Sequence, residues 1–311
     1  MHDRDRWAVI LAGGNGSRIQ TLTRLVAGDE RPKQFCRLVG NETLLAATRA
    51  RLAQSVASDR TLCVVTSHHE VFYRSEFHDE EWGRLVEQPG NRGTGMAIAY
   101  AVARVEAEDP DGLLGVFPAD HYYEDGDSFR AVVGEAYGAA GLDEGRVFLI
   151  GAEPDRPELE YGWITRGSAI PGLTPASTPL RVSAVAGFVE KPSEAQADAL
   201  FADGSLWNTF VLVGHVQAFR GLIDRALPGL LDELAAILRL PEPQCTAALG
   251  RLYGSPIATD FSRQVLSRHP ERLAVIELSA SGWTDLGQPA RALRVMARCG
   301  YPSPDAARLA M

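Results

Sequence analysis

Lysine is almost missing from this chain. Of its 31 basic residues only Lys33 and Lys191 are lysine, and the rest are arginine. A nucleotide-composition bias would produce this. Yet both lysines stand in short motifs, Pro32-Lys33-Gln34 and Glu190-Lys191-Pro192, and a compact ammonium is not interchangeable with a planar guanidinium. Positive charge is also in deficit: the net charge of −9 argues against a general nucleic-acid binder, so a phosphate ligand would need local cations or a metal. No apolar run is long enough to span a membrane, and Met1-His2-Asp3-Arg4 opens no signal peptide. Cys36, Cys63, Cys245 and Cys299 form no CxxC pair and read as free thiols in a cytoplasmic protein. Two common phosphate motifs are absent as well. A P-loop needs Gly-Lys-Ser/Thr, but Gly16 is followed by Ser17-Arg18. A dinucleotide fingerprint needs a third glycine where Ile19 stands.

What is present is an alternation. Strands are expected at 8–12, 61–66, 113–117, 147–151, 182–190 and 273–278, where apolar runs end in turn residues. Helices are expected at 42–56, 94–108, 128–140, 193–202, 216–226, 232–239 and 261–268. Such alternation predicts an α/β fold: a mainly parallel twisted sheet with helices on both faces. Residues 153–179 are rich in Pro, Gly and Thr and suggest a loop lobe or lid over the sheet. Residues 1–311 read as one domain with a core of about 6–298, and Cys299 to Met311 as a frayed end or short docking helix.

The strongest local signal runs from Trp7 to Phe35. The apolar run Ala8 to Leu11 ends in Gly13-Gly14-Asn15-Gly16-Ser17-Arg18, and Pro32-Lys33-Gln34-Phe35 follows. A buried strand ending in glycines exposes backbone N–H groups at the sheet edge where ligands bind, and Arg18 and Lys33 add cationic donors. This proposes a nucleoside triphosphate site. Asp120 closes the run Leu113 to Phe117 and puts a hard carboxylate at the same edge, suited to Mg2+ or, more plainly, to capping the next turn. Asp285, in Gly282-Trp283-Thr284-Asp285-Leu286-Gly287, offers a second carboxylate or the cap of a helix at 289–298. Asp260 reads as a helix cap. His121 and the pair His68-His69 read as core or surface histidines rather than zinc ligands. The loop from Glu87 to Gly95 could read a base edge or simply open the next helix.

With these segments in order, the chain resembles the sugar-phosphate nucleotidyltransferases, on the side of the mannose-1-phosphate guanylyltransferases. The likeness rests on Leu11 to Ile19, Thr21 to Arg24 and Pro32 to Phe35, then on Gln88-Pro89 with Arg92-Gly93-Thr94, Pro118 to His121 and Tyr161 to Ile164. It continues in Phe188 to Pro192, Trp207-Asn208-Thr209 and Trp283 to Gly287. Three positions depart from the family pattern: Thr21 replaces a proline, Gly93-Thr94-Gly95-Met96 replaces Asn-Thr-Ala-Pro, and Asn208-Thr209-Phe210 replaces Asn-Ser-Gly. They keep a second pair of substrates open, glucose 1-phosphate or another sugar with UTP, dTTP, CTP or ATP. A silent paralogue that binds nucleotide sugars and regulates a partner is the alternative from another class. The presence of Arg18, Lys33, Asp120, Lys191 and Asp285 argues against it. A molybdopterin guanylyltransferase shares the opening run but not the Glu-Lys-Pro and Trp-Asn segments.

The resemblance implies a Rossmann-like nucleotidyltransferase fold with a small sugar lobe, and the reaction of GTP with mannose 1-phosphate to GDP-mannose and pyrophosphate. It places Leu11, Gly13, Gly14, Gly16, Ser17, Arg18 and Lys33 on the triphosphate, Gln88, Pro89 and Gly93 at the base, and Gly162, Glu190, Lys191 and Asn208 on the sugar phosphate. Arg18, Lys33, Asp120 and Lys191 become catalytic candidates, and Asp120 with Asp285 would hold Mg2+. A monomer or homodimer is implied, acting on small molecules without nucleic acid or membrane. The C-terminal β-helix or isomerase domain that many family members carry is not expected within 311 residues.

Overall fold

A computed structural model describes residues 5–78, 84–173, 181–254, 258–279 and 281–301. Its nine strands are β1 (Arg6–Leu11), β2 (Thr61–Thr66), β3 (Leu85–Gln88), β4 (Leu113–Pro118), β5 (Val147–Ala152), β6 (Gly162–Ala169), β7 (Val182–Glu190), β8 (Leu206–His215) and β9 (Leu273–Leu278). They form one sheet in the order β3-β2-β1-β4-β8-β5-β9-β7-β6. Helices α1 (Gln20–Ala27), α2 (Leu44–Leu52), α3 (Glu70–Tyr73), α4 (Thr94–Glu108), α5 (Gly126–Ala140) and α6 (Glu194–Ala202) are followed by α7 (Val216–Ala226), α8 (Leu230–Leu238), α9 (Gln244–Gly254), α10 (Phe261–Gln264) and α11 (Pro289–Arg298).

Ala8, Val9 and Ile10 are fully buried because β1 is central and covered on both faces, as its continuous apolar run required. One core joins α4, α7, α8 and α9 to one face of the sheet, and a second joins α2 and α5 to the other. The α/β fold with helices on both faces is therefore present. The sheet, however, is mixed rather than mainly parallel. β2, β1 and β4 run parallel, as do β5 and β9, but β8 is antiparallel to both β4 and β5, and β7 to both β6 and β9. Among the described strands only β6 and β7 are consecutive and paired antiparallel; the other reversals come from β8 entering between β4 and β5 and from β7 lying beside β9, pairings between segments that are not consecutive in the chain.

β3, β6 and β8 and helices α1, α3 and α9 were not among the expected elements. β8 carries Asn208-Thr209 in its middle, which breaks the apolar pattern. The Thr209 hydroxyl donates to the Ile150 carbonyl at 2.7 Å, so the polar residue is satisfied inside the sheet. β6 lies within the expected loop lobe, and its outer half is exposed while still pairing with β7. Residues 174–179 of that lobe and 302–311 of the expected C-terminal tail lie outside the described residues.

β8 changes neighbours halfway along one edge. Its C-terminal half pairs with β4, from Val116–Leu212 to Leu113–His215. Its N-terminal end pairs with β6, at Trp163–Trp207 and Ile164–Leu206. Between them Phe210 takes a left-handed φ of 58°. The strand edge is thus unpaired where β4 ends and β6 begins, and a cleft opens there. On the other side, β1 sends its chain to β2 and receives β4 as its second neighbour, the switch point at which open sheets bind ligands.

His69 shows how burial sets the pH response. It ends the turn after β2, 5% exposed, edge-on to Phe35 at 6.2 Å, and its Nδ1 has no hydrogen-bond partner. Burial, aided by His68, pushes its pKa down to about 4. The folded ring stays neutral while the unfolded ring titrates near its ordinary value. Stability from this group is complete above that value and is lost as pH falls toward 4. At pH 5 the expected loss from His69 is about 2 kcal/mol relative to neutral pH. Urea unfolding at pH 7 and pH 5 checks this: His69→Gln should lose less stability than wild type across that step, and equal losses would refute it.

Candidate active site

β1 delivers Leu11 to the cleft, and the loop after it is held from behind. The Gln34 amide donates to the carbonyls of Ala12 and Gly14, both at 2.8 Å, and the Thr66 hydroxyl donates to the Gly13 carbonyl at 3.0 Å. These three bonds fix the main chain of the loop. A Cβ on Gly13 would meet the Gln88 amide at 2.8 Å, and Gly16 has φ 62° with Lys33 N 3.1 Å from where its Cβ would be. Gly14 has no atom within 4 Å of such a Cβ, so its open side is free for a close approach. Ser17 and Arg18 follow in a 3-10 turn, and the exposed Arg18 guanidinium stands 3.2 Å from Glu160 in the loop before β6.

Lys33 is 8% exposed. Its Nζ donates to the Asp285 carbonyl at 2.5 Å and lies 3.2 Å from Asp120 Oδ2. One ammonium therefore ties the end of β4 to the segment before α11, while the Lys33 main chain packs against Gly16. Asp285 is not the cap of α11; that position is Gln288. Its Oδ1 instead accepts from Tyr161 OH at 3.2 Å and Gly287 N at 2.8 Å, and lies 3.2 Å from Arg291 Nε. Burial works against its charge, but Lys33, Arg291 and His121 together hold the carboxyl below its ordinary pKa. His121 is buried, and burial lowers its pKa to about 4. Trp283 Nε1 donates to its Nδ1 at 3.2 Å, which leaves the ring proton on Nε2, 3.8 Å from Asp120 Oδ1. Among the described residues no group of three or more His, Cys, Asp or Glu is arranged around a common metal position. Two carboxylates are what this chain offers a cation, and a ligand phosphate would have to complete the shell.

The opposite wall belongs to β3 and α4. Gln88 is 2% exposed; Tyr253 OH donates to its Oε1 at 3.1 Å, leaving Nε2 toward Gly13. Gly93 has φ 88°, and a Cβ there would lie 2.2 Å from the Thr259 carbonyl. Thr259 grips the same loop: its N–H donates to Arg92 O at 2.9 Å and its carbonyl accepts from Gly95 N at 3.0 Å. Thr94 is therefore no helix cap, since Gly93 holds that position and Thr94 Oγ accepts from Phe261 N at 2.9 Å. Gln88, Gly93, Gly13, Asp120 and Phe210 line one cleft of about 340 Å³. Pro89, expected beside Gln88, is exposed and does not line it.

Gly162, Glu190 and Asn208 meet at the start of β6. Gly162 is in register with Glu190, and a Cβ on it would be 2.7 Å from Glu190 Oε2 and 3.3 Å from Asn208 Cβ. Burial first, and Asp260 second, raise the Glu190 carboxyl above its ordinary pKa. Asp260 itself caps α10, as its position suggested. Lys191 is exposed at the end of β7 with φ 53°, and its N–H donates to Tyr161 O at 3.1 Å; it does not line the cleft.

A glycine loop, a Lys-bridged pair of acidic segments and a polar pocket on β6–β8 thus occupy one sheet edge. A model of the nucleotidyl transferase family matches residues 7–299. The chain belongs to that family. The alginate biosynthesis protein AlgA of Pseudomonas aeruginosa is 31% identical over 285 residues, which is 90% of this chain and 56% of that protein. A mannose-1-phosphate guanylyltransferase of Escherichia coli K12 is 30% identical over 290 residues, 90% of this chain and 58% of that one. The chain thus spans little more than half the length of these curated relatives. A solved structure from Thermus thermophilus, described as a mannose-1-phosphate geranyltransferase, superposes with a TM-score of 0.77 at 31% identity, covering 96% of this chain and 80% of that one. An inositol-1-phosphate CTP transferase from T. maritima shares the fold at 14% identity and a TM-score of 0.56. Among the described residues no helix is long and apolar enough to cross a membrane.

Some residues that build this nucleotidyl transferase cleft carried no functional signal in sequence. Thr66, Tyr253 and Thr259 act through contacts that only folding creates. Gln34 stood in a recognised motif, but its task of holding the glycine loop follows from two carbonyls about twenty residues away.

Proposed function

We propose that this protein transfers a nucleotidyl group from a nucleoside triphosphate to a sugar 1-phosphate, with GTP and mannose 1-phosphate as the pair. The observation that carries the proposal is Lys33, whose ammonium bridges Asp120 and the Asp285 carbonyl between the glycine loop and the Gly162–Glu190–Asn208 pocket. The choice of sugar and base draws on the names of the relatives.

A sugar phosphate oxygen attacks the α-phosphorus in line and pyrophosphate leaves. The nucleophile is already ionised near neutral pH, so no general base is required. The reaction then depends on positioning and charge stabilisation. Gly13, Gly14, Gly16 and Ser17 would cradle the triphosphate, and Arg18 and Lys33 would neutralise charge developing on it. Gln88 Nε2 and Gly93 would meet the base. Glu190, Asn208 and the Gly162 backbone would bind sugar hydroxyls, and Lys191 would reach the sugar phosphate from the rim. Asp120 and Asp285 would hold Mg2+: both are carboxylates, and Asp285 Oδ2 accepts no hydrogen bond from the described residues. Bound there, Mg2+ would screen the repulsion between two anionic substrates. A cytoplasmic setting belongs to the same reading and is consistent with four free cysteines.

Pyrophosphate release, measured with Mg2+ across a grid of nucleoside triphosphates and sugar 1-phosphates, tests it. Signal should dominate for GTP with mannose 1-phosphate. Dominance elsewhere on the grid would keep the mechanism and replace the substrates, and silence across it would overturn the enzyme. Arg18→Ala should lower kcat about 10²-fold, the scale of one charge-stabilising donor. Near-normal turnover would remove Arg18 from the mechanism.

A further inference from the structure

Behind Asp285 lies a buried arginine for which the proposed reaction has no role. Arg291, in the first turn of α11, is 3% exposed. A guanidinium at that depth is tolerable only among opposite charges. Its Nη1 is 3.1 Å from Glu158 Oε2, its Nε is 3.2 Å from Asp285 Oδ1, and its plane lies over the Tyr161 ring at 4.6 Å. Its three nitrogens lack the alignment of full hydrogen bonds, and it holds the two carboxylates through short ion pairs, one nitrogen to each.

Asp285 needs such help. It lies outside any strand or helix, just after a single bridge between Tyr122 and Thr284, and the next residue, Leu286, has a left-handed φ of 49°. Backbone pairing therefore does not fix where its carboxylate points. Tyr161 OH, Gly287 N–H and Arg291 Nε do, and all three converge on Oδ1. Oδ2 is left without a hydrogen bond among the described residues. Arg291 is itself anchored, because the neighbouring Ala292, Val295 and Met296 pack α11 against Ile19 and Leu22.

We infer that Arg291 is a positioning residue: it holds Oδ1 of Asp285 so that Oδ2 stays free for a divalent cation. The inference rests on Asp285 being a cation ligand. Charge and orientation predict opposite results, which makes the test sharp. If Arg291 were only a nearby positive charge, removing it would strengthen cation binding. If it positions Asp285, removing it weakens binding.

The probe is Mn2+ alone, with free ion counted by its EPR signal over the full chain, and with circular dichroism and the melting transition as fold controls. Arg291→Met should weaken Mn2+ binding about tenfold or more, the scale for groups that orient a ligand, and Arg291→Lys should restore part of it. Tyr161→Phe should weaken binding in the same direction by a smaller factor. Should Arg291→Met fail to fold, Arg291→Lys and Tyr161→Phe carry the test, and both should bind Mn2+ more weakly than wild type. Unchanged or tighter Mn2+ binding in folded Arg291→Met, or in that pair, overturns the inference, provided Asp285→Asn has lost binding. Wild-type Mn2+ binding by Asp285→Asn instead overturns the cation reading beneath it.

Discussion

Lys33→Met should lower kcat about 10³-fold in a protein that still melts cooperatively. Methionine keeps an unbranched apolar stem that ends where the lysine Cε would be, and lacks the ammonium. The charge it removes is 3.2 Å from Asp120 Oδ2 and donates to the Asp285 carbonyl at 2.5 Å, in a nearly buried position. Two things are lost together: a cation at the point where the transferred phosphate would carry its charge, and the tie that keeps two separate acidic segments at one spot. In a site shielded from water each is worth more than on the surface, and the sum reaches the upper end of what one donor contributes. Lys33→Arg should not rescue. Asp120 and the Asp285 carbonyl are one carboxylate and one main-chain oxygen, which an ammonium meets with independent protons and a planar fork does not. Steady-state kinetics on the three proteins decides it. Turnover within a few-fold of wild type in Lys33→Met would sink the proposed role, and full activity in Lys33→Arg would mean that charge alone suffices. The same result bears on the scarcity of lysine: an intolerant arginine substitution would give a physical reason for one of the two lysines.

Gly93→Ala should destabilise the fold by about 3 kcal/mol or more, the combined scale of a strained backbone and an overpacked contact. The added Cβ would lie 2.2 Å from the Thr259 carbonyl, a main-chain atom that cannot rotate away, and φ of 88° is unfavourable for alanine in any surroundings. The loop would have to leave Thr259, and with it go the Gly95 N to Thr259 O and Thr259 N to Arg92 O hydrogen bonds. Gln88 and Gly93 would then no longer share one cleft wall, so the KM for nucleotide should rise as well. Gly14→Ala is the matched control. Nothing stands within 4 Å of its Cβ, so stability should hold, while a methyl group on the open side should raise the nucleotide KM about tenfold, as expected for a lost close approach of the backbone. Denaturant unfolding and initial-rate kinetics separate the two. Equal stability of Gly93→Ala and wild type would show that the Thr259 latch is dispensable. A normal nucleotide KM in Gly14→Ala would place the triphosphate elsewhere.

The latch involves both glycines of the segment that departs from the family pattern. Where the pattern has Asn-Thr-Ala-Pro, this chain has Gly93-Thr94-Gly95-Met96. Gly95 as well as Gly93 is pressed against Thr259, with a Cβ position 2.7 Å from the threonine side chain. The departure is thus paired with a neighbour 164 residues away in the chain, and no reading of the loop alone could show it.

What the sequence by itself determined was local. The run Ala8 to Leu11 read as a buried strand because it is short, apolar and ends in glycines, and the glycines after it turn the chain. α4 and α7 matched their expected bounds at both ends, since their apolar spacing and flanking residues set them. Ordered motifs placed the chain in its family. What only the tertiary structure decided was which groups meet. Asp120 and Asp285 each had a bland reading as a cap, and neither could be told from one without Lys33 between them. β8 escaped notice because its Asn-Thr pair looks like a turn until Ile150 accepts the threonine hydroxyl. Arg291 was one arginine among many until burial set it between two carboxylates. Periodicity and turn chemistry act over a few residues and leave their mark in order along the chain. Charge pairing and strand switching act across space between segments up to 252 residues apart, and their energies exist only once the sheet has brought those segments together.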